Sequence, residues 1–347
     1  PKRAKEIFKI IIQLGGNTNF HFEMAGDLID EEMLDIISDA PQGLFQFEIG
    51  VQSTSQNTLH EVNRKSDLNK VFNAVKRLRS FRNAHIHLDL IAGLPGEDYE
   101  SFKKSFNDVY ELKPDNLQLG FLKLLKGSGL RLNAEKYGYL YRKYPPYEVL
   151  SSDCMGYNDL QNLKMIEELV QRYYNSHRFD NALQFLIKYH ADSPFRFFEC
   201  FMEYWLEKGY FKASHSVLRL YDILMEYTDK RCEIPKDLFR DILKFDFCMM
   251  QKPNKYPSLL EDNVHYKFKD SISEFLKNDN NIAKYLPHLI SCPYKQILRQ
   301  VHIEIFNYNI AEGIATGEYL PLRTAVLFDY SVNDKSLQSC RYCVVDI

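Results

Sequence analysis

Four apolar segments that alternate with helical patterns constrain the fold of this chain more than any other feature. They are NFHFEMA (19–25), LFQFEIGVQS (44–53), HIHLDLIAG (85–93) and DNLQLGFLKLL (115–125). Helical stretches lie at 3–13, at DEEMLDIIS (30–38), twice between the second and third segments, and at 98–112, where Phe102, Phe106, Val109 and Tyr110 share a side. In the clearer helix of the pair, Ser66 is placed to cap, and Leu68, Val71, Phe72, Val75 and Leu78 follow helical spacing. Strand–helix–strand crossovers of this length predict right-handed βαβ units in a parallel sheet. Four such strands make half a barrel or a small open sheet, and the strand bearing Glu23 is expected at an exposed edge.

The pattern then changes. Residues 126–158 are irregular, and the tyrosine-rich YGYLYRKYPPYEVL (137–150) reads as a linker or lid. From about 159 to 290 the chain is helical. In SPFRFFECFMEYWLEKG (193–209), Ser193 caps, Pro194 opens, Gly209 stops, and Phe198, Phe201, Met202 and Trp205 form a core-facing stripe. VHIEIFNYNI (301–310) and LRTAVLFDYS (322–331) alternate as two closing strands. The expectation is an α/β partial barrel over 1–130, a connection over 131–158, and a mainly helical domain over 159–347 with a small terminal β element.

A net charge of −3 makes nucleic acid an unlikely partner. Without a membrane-length apolar run or signal peptide, a cytoplasmic protein with no membrane partner is expected. All seven cysteines lie at or after Cys154, an odd number that reads as reduced thiols. The chain enters a helix directly after Pro1, which reads as a piece of something longer.

Ligands of parallel α/β sheets bind at the carboxyl ends of the strands. The four strands carry Glu23; Glu48 and Gln52; Asp89 ahead of Gly93-Leu-Pro-Gly96; and Lys123. Buried carboxylates cost several kcal/mol unless paired. Two readings therefore stand: a ligand site, or carboxylates satisfied by helix N-termini, arginines or water. Cys340 and Cys343, with Cys292 as a third candidate, are weak metal candidates, because a metal site needs four ligands and the rest are not evident. His190, His215 and His302 stand alone and read as surface or core side chains.

The segment from Gly43 to Phe102, with GVQS, VNRKS and DLIAGLPGE in that order, resembles the later part of the catalytic barrel of radical S-adenosylmethionine enzymes. FEMAGDLIDEEMLDII resembles the family's third strand and following helix. The branch most resembled includes cobalamin-binding members, methylthiotransferases and oxygen-independent coproporphyrinogen oxidase. The C-terminal part resembles a domain of unknown function in a cobalamin-binding group often labelled as similar to anaerobic magnesium-protoporphyrin IX monomethyl ester oxidative cyclase. The resemblance implies that Glu23 lies near the methionine or ribose of S-adenosylmethionine, and that Gln52 contacts the ribose or methionyl group. It implies that Arg64 pairs with the cofactor carboxylate and Asp89 accepts from ribose hydroxyls. Ile91, Gly93, Leu122 and Lys123 would flank the adenine. Glu48 would either point into the barrel or pair structurally.

The family's Cys-x3-Cys-x2-Cys loop, which holds a [4Fe–4S] cluster, is missing from these residues. The resemblance therefore implies that cluster-binding and cobalamin-binding parts lie upstream of Pro1. This chain alone is then expected to be inactive. The full protein would use a flavodoxin or ferredoxin as electron donor and generate a 5′-deoxyadenosyl radical acting on a small-molecule or tetrapyrrole-like substrate. The competing readings are a tRNA methylthiotransferase-like enzyme, and a cluster-less barrel with a protein-binding helical domain.

Overall fold

The computed structural model describes residues 2–16, 18–261, 267–334 and 339–347. The chain divides into two compact units, residues 1–176 with 191–206, and residues 177–190 with 207–347.

The first unit is built on the parallel sheet β1-β2-β3-β4, with strands Phe20–Met24, Phe45–Gln52, Ala84–Ala92 and Asn116–Phe121. The chain supplies α1 (Lys2–Leu14), α2 (Glu31–Ser38), α3 (Gln56–Glu61), α4 (Leu68–Phe81) and α5 (Tyr99–Tyr110). This is the α/β architecture that the alternation predicts. Three aspartates start helices: Asp30, Asp67 and Asp98 accept from the backbone of Met33, Lys70 and Ser101. The cap of α4 is thus Asp67, not Ser66; the helix starts at Leu68, where the periodicity begins, one residue later than a Ser66 cap implies.

Side chains on a strand alternate between faces, and here the two faces differ in kind. Phe45, Phe47, Ile49, Ile86, Leu88, Leu90 and Leu117 are fully buried on one. Phe8 of α1 packs there, with ring centroids 5.2 Å from Phe45 and 5.9 Å from Phe47. The other face carries His21 and Glu23, Gln46 and Glu48, His85, His87 and Asp89, and Gln118. The register sets Glu23 beside Glu48 and Glu48 beside His87, then Gly50 beside Asp89 and Asp89 beside Gln118. β1 is an edge strand, as expected, with His21 and Glu23 exposed. At the opposite edge, Asn175 donates to the carbonyl of Leu117 at 3.0 Å and accepts from its amide at 2.9 Å, as a neighbouring strand would.

After β4 come a short α6 (Gly129–Leu132) and the antiparallel pair β5 (Leu140–Tyr141) and β6 (Val149–Ser151). The tyrosine-rich segment is therefore partly ordered as a sheet. Helix α7 (Tyr157–Leu169) follows, and α9 (Pro194–Lys208) comes after α8 (Asp180–His190). Ser193 accepts from Arg196 N at 3.2 Å, and Phe198, Phe201 and Trp205 are fully buried, as the stripe predicts.

The second unit contains α8, α10 (Val217–Arg231), α11 (Lys236–Met250), α12 (Lys269–Lys277), α13 (Asp279–Tyr285) and α14 (Tyr294–Gln300). An antiparallel sheet β7-β8-β9 completes it, with strands Val301–Phe306, Thr324–Asp334 and Ser339–Val345 around α15 (Ile310–Thr316). The sequence pattern suggests two closing strands followed by a cysteine-bearing end; the end forms the third strand. Val301, Ile303, Ile305, Ala325, Leu327 and Val345 share a core with Phe275, Leu276 and Ile282 of the helices. The opposite face meets α11, where Phe245 contacts the rings of Phe306, Phe328 and Tyr342.

Candidate functional site

The polar face of the four-stranded sheet gathers most of the side chains singled out by the strand-tip reading. Asp89, on the third strand, neighbours Gly50 in register. Burial, then the charge of Glu48, a hydrogen bond to it and the charge of Glu23 push the Asp89 carboxyl up to about 7, against the opposing pull of Arg64. Its Oδ1 is buried and has no hydrogen-bond partner among the described residues. Glu48 in turn lies 3.0 Å from His21 Nε2. His87, below Asp89 on the same face, is held down by burial and by the neighbouring His85 and His21.

At the tip of β2 the chain leaves the regular ladder. The register shifts between Gly50 and Gln52, and Gln52 takes φ +71°, a left-handed value that non-glycine residues seldom adopt. The turn folds Gln52 back over Gly50, so that a Cβ on Gly50 would lie 2.5 Å from Gln52 Nε2 and 3.4 Å from an Arg64 guanidinium nitrogen. Only glycine fits. Arg64 donates to the Gly50 carbonyl at 2.5 Å and lines a cleft of about 480 Å³ with Asp27, Gln56, His60, Asn63, Lys65, Ser66 and Asp67. Gln52, Arg64, Glu48 and Asp89 thus converge; Glu23 is exposed at the edge strand and acts on Asp89 through its charge.

The residues proposed to flank adenine are placed less uniformly. Ile91 is half-buried on the polar face, whereas Gly93 is buried with φ +87°, and its carbonyl accepts from Tyr139 at 2.9 Å. The tyrosine-rich segment therefore covers that carbonyl. Leu122 is buried and its amide bonds Ala92. Lys123 is exposed, and its backbone pairs with that of Glu148 in an isolated antiparallel β-bridge.

Glu97, the last residue of GLPGE, is a site residue that the strand-tip reading does not single out. It is fully buried and accepts from Ser53 at 2.5 Å and from Ser105 at 3.2 Å. It ties the turn after β2 to the turn after β3, and so fixes the two backbones that frame Asp89. Burial pushes its carboxyl up to about 7 despite the two hydroxyls. The local signal was a glutamate directly after a glycine turn; its serine partners are remote in sequence.

Cys340 and Cys343 are three apart on β9 and so face opposite sides of the sheet. Cys340 Sγ reaches the Cys248 carbonyl at 3.5 Å, while Cys343 and Cys292 border the apolar core. They do not converge on one ion.

Residues 135–328 match a family described as protein of unknown function (DUF4080), more than half of the chain, and residues 1–109 match the radical SAM superfamily. The chain belongs to the DUF4080 family. The N-terminal part of this DUF4080 protein has curated relatives among methylthiotransferases and oxygen-independent coproporphyrinogen oxidase-like proteins. One is the ribosomal protein uS12 methylthiotransferase of Alkaliphilus oremlandii, 33% identical over 90 residues, which are 26% of this chain and 20% of that protein. Another is the oxygen-independent coproporphyrinogen-III oxidase-like protein of Bacillus subtilis, 28% identical over 111 residues, 32% of this chain and 22% of that protein. The matched stretch is about a fifth of the length of these relatives. Among solved structures, the radical S-adenosylmethionine methyltransferase TsrM of Kitasatospora setae aligns with a TM-score of 0.35 and 12% identity, over 42% of this chain and 31% of that one. No helix among the described residues is long and apolar enough to cross a membrane.

Proposed function

We propose that the polar sheet face of the N-terminal unit binds S-adenosylmethionine within a radical enzyme of the cobalamin-binding type, acting on a small-molecule or tetrapyrrole-like substrate. The observation that carries this is the buried, unpartnered Oδ1 of Asp89, beside Gly50 and within the field of Glu48, Glu23 and Arg64. A carboxylate so placed lacks a donor or a positive charge, and S-adenosylmethionine brings ribose hydroxyls, an ammonium and a sulfonium. Arg64 supplies the opposite complement, a guanidinium for a carboxylate. Glu97 holds the turns in place while these groups bind.

The residues do not fit the iron–sulfur cluster of the superfamily. Among the described residues no three cysteines converge, and no cysteine precedes Cys154. The cluster and the cobalamin therefore belong, in this proposal, to segments outside residues 1–347. When bound with a cluster, S-adenosylmethionine supplies radical chemistry. This chain's part is to orient the nucleoside, to hold the cofactor's methionine carboxylate at Arg64, and to accept hydrogen bonds from ribose hydroxyls at Asp89 Oδ1.

Calorimetric titration of the chain with S-adenosylmethionine tests the proposal. Saturable binding is expected, weakened roughly 10- to 100-fold by Asp89→Asn or Arg64→Ala. A bound ribose donates to ionised Asp89, so binding displaces the proton that Asp89 holds below about pH 7, and affinity should rise from pH 6 to 8 in the wild type and in Arg64→Ala but not in Asp89→Asn. Absence of binding, or equal binding by both variants, would contradict the assignment.

A further inference from the structure

In the second unit, far along the sequence from the residues discussed above, four polar side chains from three elements meet in the protein interior. Cys248 comes from α11, Tyr256 from the segment after it, and His302 and Glu304 from β7, two apart and so on one face. Cys248 and Glu304 are fully buried, and the His302 side chain is 12% exposed. Cys248 Sγ, a His302 ring nitrogen and a Glu304 oxygen lie within 4.8 Å of one another. The Tyr256 hydroxyl lies 3.5 Å from Cys248 Sγ and 3.2 Å from His302 Nε2, and bonds Glu304 Oε2; His302 Nε2 is 3.2 Å from that same oxygen.

We propose that Cys248, Tyr256, His302 and Glu304 form a tetrahedral site for a divalent transition metal of the zinc type. Zinc bonds of about 2.0 Å to nitrogen or oxygen and about 2.3 Å to sulfur give tetrahedral edges of roughly 3.3–3.8 Å. The Tyr256–His302, His302–Glu304 and Tyr256–Cys248 edges, at 3.2, 3.2 and 3.5 Å, already approach that range. Of the other three edges, Tyr256–Glu304 is now a short hydrogen bond and must lengthen by about 1 Å when the phenol proton leaves, and the two from Cys248 to His302 and Glu304 must close by up to about 1.3 Å.

The surroundings support the same geometry. Glu304 Oε1 is turned away from the cluster and held by Lys244 Nζ at 3.1 Å and by the amide of Ile305 at 3.0 Å. That fixes Oε2 toward the other three donors, the role outer partners play around ligating carboxylates. The Cys248 carbonyl is anchored by Tyr330 at 2.7 Å, which steadies the end of α11 that carries the thiol. Charge balances in both states. Without metal, Lys244 and Glu304 cancel. With a divalent ion, the thiol and the phenol each release a proton to solvent, and three anions balance the metal and Lys244. A thiolate, an imidazole and two oxygens select zinc or cobalt over magnesium or calcium, which prefer all-oxygen shells. A buried cage of this kind would staple α11 to the terminal sheet.

The test is titration of the purified, chelator-stripped chain with Co²⁺ and then Zn²⁺. One equivalent of Co²⁺ should develop a tetrahedral ligand-field band with sulfur-to-cobalt charge transfer, and one equivalent of Zn²⁺ should displace it. Cys248→Ser and His302→Ala should weaken binding at least about 100-fold, whereas Cys343→Ser, in the same sheet, should leave it intact. X-ray absorption of the wild-type zinc form, which needs no variant to fold, should show one sulfur and three nitrogen or oxygen neighbours. No stoichiometric binding by the wild type would overturn the proposal and leave a metal-free hydrogen-bond network. Binding that survives loss of Cys248, or a shell without sulfur, would also overturn it.

Discussion

Glu48 and Glu304 are both strand glutamates paired with a histidine, yet the molecule treats them in opposite ways. Glu48 lies 3.0 Å from His21, its side chain is 23% exposed, and its charge helps to push another carboxyl, the half-buried Asp89, up to about 7. Glu304 lies 3.2 Å from His302 with no exposed surface. Burial pushes its carboxyl up, but the bond from His302, the charge of Lys244 and the Tyr256 hydroxyl bring it down to about 2. The second carboxylate is completed by its own chain. The first is paired with the half-exposed His21, and the Asp89 beside it keeps a buried Oδ1 with no hydrogen-bond partner among the described residues. An under-compensated acidic face points to a ligand; a compensated one points to a role within the unit.

Breaking the closed cluster should have the largest effect. Lys244→Met removes one partner of a buried pair and should cost the chain about 3–5 kcal/mol in denaturant unfolding. Glu48→Gln, on the open face, should change stability by less than about 1 kcal/mol. Similar losses at both positions would erase the distinction.

The next effect is pH-dependent and belongs to Glu97. Its folded value of about 7 lies above the ordinary value of 4.5, so its contribution is fully present below about pH 4.5 and is lost as pH rises through 7. Glu97→Gln should abolish that loss, gaining up to roughly 3 kcal/mol on the wild type by pH 8. Parallel stability–pH curves for the two proteins would place the proton elsewhere.

The smallest effect concerns a cap. Asp67→Ala should cost about 1 kcal/mol and Ser66→Ala less than about 0.5 kcal/mol, read from melting of the N-terminal unit. The reverse order would return the cap to Ser66.

These residues also show what was legible in the sequence. The four parallel strands were, because apolar and polar residues alternate along each and βαβ connections admit one hand. The placement of Gln52 and Asp89 toward the carboxyl ends of β2 and β3 was, from the strand pattern, whereas Arg64, between α3 and α4, was singled out only by the family resemblance. Glu97 was not: Ser53 and Ser105 meet it only after β2, β3 and α5 pack together. His302 was read as solitary because Cys248 and Tyr256 are some fifty residues away, although the polar pair His302 and Glu304 on one face of an apolar strand was a usable sign. The separation of Cys340 from Cys343 follows from strand alternation once the third strand is recognised.

Hydrogen–deuterium exchange of the chain with and without S-adenosylmethionine tests the central contrast most directly. The account predicts slower exchange at residues 48–53, 62–66 and 88–96, with residues 240–256 and 301–306 unchanged. Protection confined to the second unit, or none at the strand tips under saturating ligand, would contradict it.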